Sequence, residues 1–391
     1  MKILYHHRTV AKDGMSVHIT ELVAALRARG HEVTIVGPSA DGETGTESNG
    51  GLIGTLRRWA PRFVTELLEL AYDTLATRRL DEAYHRMQPD IIYERYNLFL
   101  LSGARLKRRY GVPLILEVNA PLVMERMAFG GLTWTGIAKR WERLAWQAAD
   151  MVCPVSGPLA RIVATNGVPP ARITVIPNGI RADMFHPEAD GSSVRASLGI
   201  SNKTIIGFTG FVRDWHGLDR VIRFLVDQKR PDLHFLVVGD GPARAALESL
   251  AQETGVADQL TLTGVVPHDD IAGYVAAFDI ALQPASVPYA SPLKLFEYMA
   301  MARPIVAPDQ ENIREIVTHE ESAFLFDPKR PGAFEDALRA VCDDRALREK
   351  LANGAAEAIE RQQFTWDANA ERIETIARTL IGARSEPVAR S

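Results

Sequence analysis

The sequence predicts an α/β protein of two doubly wound, Rossmann-like domains facing a cleft. Three observations predict it. Short apolar runs alternate with amphipathic helical stretches, the pattern of parallel strands joined by crossover helices. The pattern runs twice, with a polar, loop-like stretch at residues 186–202 between the two runs. The 391 residues are enough for two domains of ordinary size.

Bulk composition excludes several classes. Hydrophobic content of 46% and charged content of 24% are average for a globular chain. No apolar run reaches the roughly 18 residues that a membrane-spanning helix needs. The start, Met1-Lys2-Ile3-Leu4-Tyr5-His6-His7, turns polar too soon for a signal peptide. Cys153 and Cys342 lie far apart, so neither a disulfide framework nor a metal site is expected, and a reducing cytoplasm is. The net charge of -4 divides unevenly: residues 1–177 carry +5 and the remainder -9. Two domains with different partners would do this, and so would chance scatter of surface charge. No nucleic-acid partner is expected, and the oligomeric state is left open.

In the first half, residues 2–7 read as a strand and residues 8–14 as a loop ending in Gly14. Residues 15–29 form an amphipathic helix, with Val17, Leu22, Val23 and Leu26 at helical spacing. Gly30 stops it, and residues 32–37 are a second strand. Residues 38–51 are a polar Gly/Ser/Thr-rich loop, and residues 52–88 have helical character. The basic and aromatic run Leu56-Arg57-Arg58-Trp59-Ala60-Pro61-Arg62-Phe63, with Arg78, Arg79 and Lys107-Arg108-Arg109, either docks on anionic lipid or forms solvated helix faces. Strands follow at 90–94 and 113–118. Ligands of open α/β sheets bind outside the carboxyl ends of the strands. Glu94, Arg95, Glu117 and Asn119 are therefore placed where a site would be. A further strand covers 150–156.

The second half repeats the design. A strand at 204–209 runs into Gly210-Phe-Val-Arg-Asp-Trp-His-Gly217, and the helix after it carries Leu218, Val221, Ile222 and Leu225. A strand at 233–238 ends in Gly239-Asp240-Gly241-Pro242, glycines suited to close backbone approach, either to a ligand or between strand and helix. Residues 260–264 end another strand at a glycine, and a helix covers 269–278. An apolar run at 279–283 feeds a loop. Ser291 is expected as a helix N-cap with Pro292 at the first helical position. That helix end offers free N–H groups and a partial positive charge to an anion. Lys294 adds a formal charge, and the Glu297 carboxylate just behind can accept from a sugar diol. A diphosphate with an attached ribose fits both features. Strands at 303–307 and 323–326, helices over 331–360, an amphipathic helix from 366 to 380 and a charged tail from Arg384 complete the chain.

Several of these stretches resemble the retaining glycosyltransferases of the GT-B fold, the glycosyltransferase family 4-like group. The resemblance runs from Gly14 to Trp366 and is most specific in the second half. In Glu297-Tyr-Met-Ala-Met-Ala-Arg-Pro-Ile-Val-Ala, Glu297 matches the second Glu of the family's Glu-x7-Glu signature, and the small-residue helix and strand after it continue as the family does. Tyr289 stands where the first Glu falls. Gly14, His18 and Arg29-Gly30-His31-Glu32-Val33 are similar to the family's opening. Gly14 itself is either a phosphate contact or a plain turn glycine. Glu117-Val-Asn-Ala-Pro121 resembles the segment facing the donor sugar, with Asn119 where a His often sits. Ile176-Pro177-Asn178-Gly179 resembles the family's interdomain hinge. Arg213 matches the Arg of the diphosphate clamp, and His216 stands where its Lys is expected.

The resemblance implies an acceptor-binding domain over 1–177, rejoined by a crossing helix at 366–382, a donor-binding domain over 178–365, and a disordered tail at 383–391. It implies transfer of a hexosyl unit from a nucleotide-diphosphate sugar, UDP before GDP, to a hydroxyl acceptor, with retention and without a metal or other cofactor, in bacterial polysaccharide, glycolipid or glycoside synthesis. Arg213 and Lys294, with Asn119, would be catalytic. Gly14, His216, Gly239, Val265, Ser291, Pro292, Leu293 and Glu297 would line the donor site, and His18, Glu94, Arg95 and Glu117 the acceptor side. A sugar-nucleotide epimerase or a non-catalytic nucleotide-sugar binder is the alternative. Cytoplasmic placement, with peripheral contact at the inner face of the membrane, is compatible with the enzyme reading.

Overall fold

The computed structural model describes residues 1–9, 14–38 and 62–385. Residues 39–61, with most of the polar loop and of the basic and aromatic run, lie outside the described residues, as does 386–391 of the tail. The chain divides into two compact units, Met1–Pro177 with Asn369–Ser391, and Asn178–Ala368.

The first unit holds a five-stranded parallel sheet. Its strands are β1 (Lys2–His6), β2 (Glu32–Val36), β3 (Ile91–Arg95), β4 (Leu114–Val118) and β5 (Met151–Pro154), in the order β2-β1-β3-β4-β5. Every residue of β3 and β4 is buried. That is why they read as near-continuous apolar runs: helices cover both faces of a parallel sheet. Register aligns the carboxyl ends. His6 pairs with Glu94, and Arg95 with Glu117. The helices Gly14–Ala28, Arg62–Met87, Ser102–Tyr110, Thr135–Ala148 and Gly157–Thr165 connect the strands. Ser156 caps the last of these, accepting the Leu159 N–H at 3.3 Å, with Pro158 in its first turn.

The chain-terminal helix, Trp366–Ser385, is longer than expected. From Asn369 onward it belongs to the first unit, burying Ala370, Ile373 and Ala377. Glu374 receives Arg29 Nε at 3.1 Å. Arg384, expected in a disordered tail, is helical and donates to the Tyr110 carbonyl at 3.3 Å.

The second unit holds six parallel strands: β6 (Thr204–Thr209), β7 (Leu233–Val238), β8 (Leu260–Leu262), β9 (Ile280–Leu282), β10 (Ile305–Pro308) and β11 (Phe324–Phe326), in the order β11-β10-β9-β6-β7-β8. Successive side chains serve opposite faces. Ile205, Leu236 and Ala281 join one core with Leu295, Phe296 and Ile359, while Ile206, Phe235 and Ile280 join another with Phe224, Phe334 and Val341. The Phe278 ring lies so close over Gly207 that any Cβ there would overlap it. In the second unit the polar stretch forms one short helix, Ser192–Ser197, and the expected 269–278 helix shortens to Ile271–Ala276.

Candidate functional site

The second unit gathers its polar groups at the carboxyl ends of β6, β7 and β9. The helix expected there starts one residue later than the cap pattern predicts. It spans Leu293–Ala300, with Pro292 in the cap position and no side-chain capping bond. Ser291 does not cap it. Its hydroxyl accepts the Asn178 N–H at 3.1 Å and its carbonyl accepts Asn178 Nδ2 at 2.6 Å. With no side-chain cap, the N–H groups of Leu293 and Lys294 remain for an anion, while that of Leu295 bonds the Pro292 carbonyl at 3.1 Å.

Lys294 is half-buried, with Nζ 3.8 Å above the centre of the Phe208 ring. No carboxylate within 4 Å pairs with it among the described residues. Burial lowers its pKa to about 7, against the opposing pull of Glu297. Burial likewise raises the pKa of Glu297, against the pull of His268 and Lys294. Both charges are thus held at a cost that a bound ligand can relieve.

Arg213 is exposed, with its guanidinium 5.0 Å from the Phe211 ring centre. His216, which stands where the family's clamp has its Lys, is not a cation. It is buried, and its Nδ1 accepts the Arg213 N–H at 3.2 Å. Burial, then Lys294, then Arg213 push its pKa down to about 3. His216 is therefore a neutral pin for the Arg213 backbone, and the two cations of the site are Arg213 and Lys294.

Gly239 approaches the backbone of the loop after β6 closely. Its φ is +141°, and a Cβ on it would overlap the Gly210 carbonyl. The β6 and β7 loops are laced together: Gly210 N–H donates to Val238 O at 2.9 Å and Val212 N–H to Asp240 O at 2.9 Å. Gly210 in turn leaves room for Lys294, whose Nζ lies 3.3 Å from where a Cβ would stand. Val265, just past Gly264, is 84% exposed, whereas Tyr289 is buried.

Three positioning residues escaped the sequence reading. The Tyr298 hydroxyl accepts the Thr209 N–H at 2.9 Å, tying the helix to the end of β6. Phe208 is the ring under Lys294. Asn312 is buried and donates to the carbonyls of Val287 (3.2 Å) and Ala290 (2.8 Å), holding the loop that leads into the helix. Burial of an Asn or Tyr has no signal in a single sequence.

The first unit has its own polar cluster at the ends of β1, β3 and β4. Glu94 is buried, bonded to His6 Nδ1 at 2.6 Å and to the Gly103 N–H at 3.0 Å. Glu117 is 3% exposed and takes His18 Nε2 (2.9 Å), the Tyr93 hydroxyl (2.7 Å), Arg95 Nη1 and Asn119 Nδ2. Burial opposes ionisation there, yet His18 and Arg95 hold the Glu117 carboxyl well below the usual range. The sequence placed Glu94, Arg95 and Glu117 against an acceptor. The structure bonds Glu117 to Arg95 and both carboxylates to further neighbouring groups. Asn119 is half-exposed beside them. Gly14 begins its helix, and residues 10–13 before it lie outside the described residues.

The basic run on helix Ser102–Tyr110 is largely paired: Lys107 with Asp150 at 2.7 Å, Arg109 with Asp81 at 2.9 Å and Arg105 with Asp73 at 2.6 Å. Among the described residues no helix is long and apolar enough to cross a membrane.

Two family models match, in tandem. Glycosyltransferase Family 4 covers residues 12–184, and Glycosyl transferases group 1 covers 192–358. The alpha-D-kanosaminyltransferase of Streptomyces kanamyceticus is 25% identical over 284 residues, covering 70% of this chain and 72% of that one. A D-inositol 3-phosphate glycosyltransferase of Thermomonospora curvata is 27% identical over 389 residues, covering 92% and 89%. The crystal structure of Anabaena Alr3699/HepE in complex with UDP-glucose shares the fold, with a TM-score of 0.74 at 20% identity over 97% of this chain and 100% of that one.

Proposed function

This chain belongs to the group 1 glycosyltransferases with a family 4 N-terminal domain, and from that premise we propose that it is a retaining, metal-independent enzyme using a UDP-sugar. That it is a glycosyltransferase of GT-B fold using nucleotide sugars comes with the family; the finer description is our own reading.

The observation that carries the reading is Lys294, without an acidic partner among the described residues, at an uncapped helix N-terminus, with Glu297 one turn behind. Arg213 and Lys294 take the diphosphate, and Glu297 takes the ribose diol. Charge grows on the diphosphate as the glycosidic bond breaks. Fixed cations and helix N–H groups there act most strongly in the transition state. They supply the positive charge that a metal provides in other sites, which is our reason for proposing metal independence. Arg is suited to two-point contact with phosphate oxygens. The UDP assignment is supported by the HepE likeness, since that protein was crystallised with UDP-glucose. The inositol phosphate relative makes a cyclitol phosphate the first acceptor to try.

The test is a transfer assay with UDP-glucose and inositol phosphate, with and without EDTA, followed by NMR of the anomeric proton. An unchanged rate in EDTA and an α-linked product from the α-linked donor are expected. Loss of activity in EDTA, or an inverted product, would overturn those two parts of the reading.

A further inference from the structure

The first unit carries a groove away from the polar cluster at its strand ends. Its volume is about 720 Å3, within the roughly 300–1,000 Å3 of sites that hold small molecules. Pro113 and Asp150, the residues just before β4 and β5, line it. The groove therefore lies at the amino ends of these strands, whereas Glu94 and Glu117 lie toward the carboxyl ends of β3 and β4. Its wall is largely apolar. Leu101 and Ala104 come from the start of helix Ser102–Tyr110, Leu144 and Ala148 from helix Thr135–Ala148, and Leu380 from the chain-terminal helix.

The charge around this wall is one-sided. Arg105, Lys107, Arg108 and Arg384 line the groove against a single acid, Asp150. Lys107 neutralises Asp150 at 2.7 Å, and Arg105 pairs with Asp73 at 2.6 Å. Arg109, on the same helix, pairs with Asp81 at 2.9 Å. Arg108 and Arg384 have no acidic partner among the described residues. Arg384 donates only to the Tyr110 carbonyl, at 3.3 Å. Gly111 makes room for it: its φ is +70°, and Arg384 Nη2 lies 3.4 Å from where a Cβ would stand. Two uncompensated guanidinium groups thus share one concavity with an apolar wall.

We propose that this groove binds one molecule of an anionic amphiphile, with its alkyl chain along Leu101, Leu144 and Leu380 and its phosphate or carboxylate head on Arg108 and Arg384. Charge complementarity selects the anion, and Arg suits two-point contact with its oxygens. A bare anion would leave the apolar wall in water, and an uncharged chain would leave the cations unanswered. Only a ligand with both parts uses the whole groove. The concave shape takes a single molecule, whereas a flat basic face would lie on a bilayer. The site needs no transfer chemistry and stands apart from the nucleotide-binding residues of the second unit.

The test is titration calorimetry of the full chain with dodecyl phosphate, kept below its micelle-forming concentration, beside dodecanol and inorganic phosphate. Saturable one-to-one binding of dodecyl phosphate is expected, at least about tenfold tighter than either half-ligand. Arg108→Ala and Arg384→Ala should each weaken it about tenfold, the size of one charge-assisted hydrogen bond. Both side chains are exposed, so both variants should unfold at the wild-type temperature. Ala104→Trp fills the groove and should abolish the advantage of the chain over inorganic phosphate. Nitroxide-labelled dodecanoate locates the site: it should broaden the methyl NMR signals of Leu101, Leu144 and Leu380 and leave those of Leu293 and Leu295 sharp. Vesicles of phosphatidylglycerol separate a bilayer surface from a single-molecule site. A chain that sediments with the vesicles but does not bind monomeric dodecyl phosphate would overturn the proposal. So would dodecyl phosphate binding that all three substitutions leave unchanged.

Discussion

Lys294 shows how far one side chain's chemistry depends on its seat. Residue type and helix position already marked it as a candidate phosphate ligand. That its ammonium rests on Phe208, and that its pKa falls to about 7 through burial, needed the fold. The depressed pKa has a definite sign. The folded chain disfavours the charged form, so the cost is fully present below pH 7 and fades as pH rises toward the unfolded value of 10.5. Lys294→Met should therefore raise the Tm of the free protein at pH 6 and raise it less at pH 9, by calorimetry in matched buffers. The same substitution should weaken UDP binding about 10- to 100-fold, the range for a charge-assisted hydrogen bond. A diphosphate favours the charged ammonium, so UDP binding at pH 8 should take up a proton. Calorimetric titrations in two buffers of different ionisation enthalpy would reveal the uptake, and Lys294→Met should abolish it. His216 illustrates the opposite limit. A His before Gly217 looks like a pH-dependent clamp, and only its burial beside two cations makes it a neutral acceptor.

Elements were more legible than their ends. Strands β3, β4 and β7 declare themselves because burial on both faces favours near-continuous apolar runs. The start of helix Leu293–Ala300 was misjudged by one residue because Ser291 found a better partner in Asn178, 113 residues away in sequence. Such competition between local capping and distant bonding leaves no local trace. The loop before that helix depends on Asn312. Asn312→Ala should cost about 1–3 kcal/mol, since a buried amide loses its bonds to two part-buried carbonyls. It should also weaken UDP binding, as measured by titration calorimetry beside a denaturant melt. Gly239→Ala should be more damaging. Its left-handed φ and the overlap with Gly210 together imply roughly 2–4 kcal/mol. A drop in the urea midpoint and loss of nucleotide binding would be the readout.

At the scale of the molecule, two runs of alternating strand and helix gave the two-sheet architecture its first outline, and the strand orders complete it. Arg213, Lys294 and Glu297 lie in the second unit, on the loop and the helix to which the sequence assigned them. The first unit's carboxylates lie at the strand ends where the sequence placed them, each bonded to neighbouring groups. A sequence shows which acids lie at a sheet's edge and cannot show which are already bonded to a neighbour. The central claim is that the second unit binds a nucleotide diphosphate through Lys294 and Glu297. Thermal unfolding of the wild type and of Glu297→Ala, with UDP, GDP, ADP and dTDP in turn, tests it most directly. Saturation at about 100 times Kd adds roughly 2.7 kcal/mol to the native state, enough to move the midpoint by several degrees. The account predicts such a shift with UDP in the wild type and its loss in Glu297→Ala. No shift with any of the four nucleotides, in a folded sample, would contradict it.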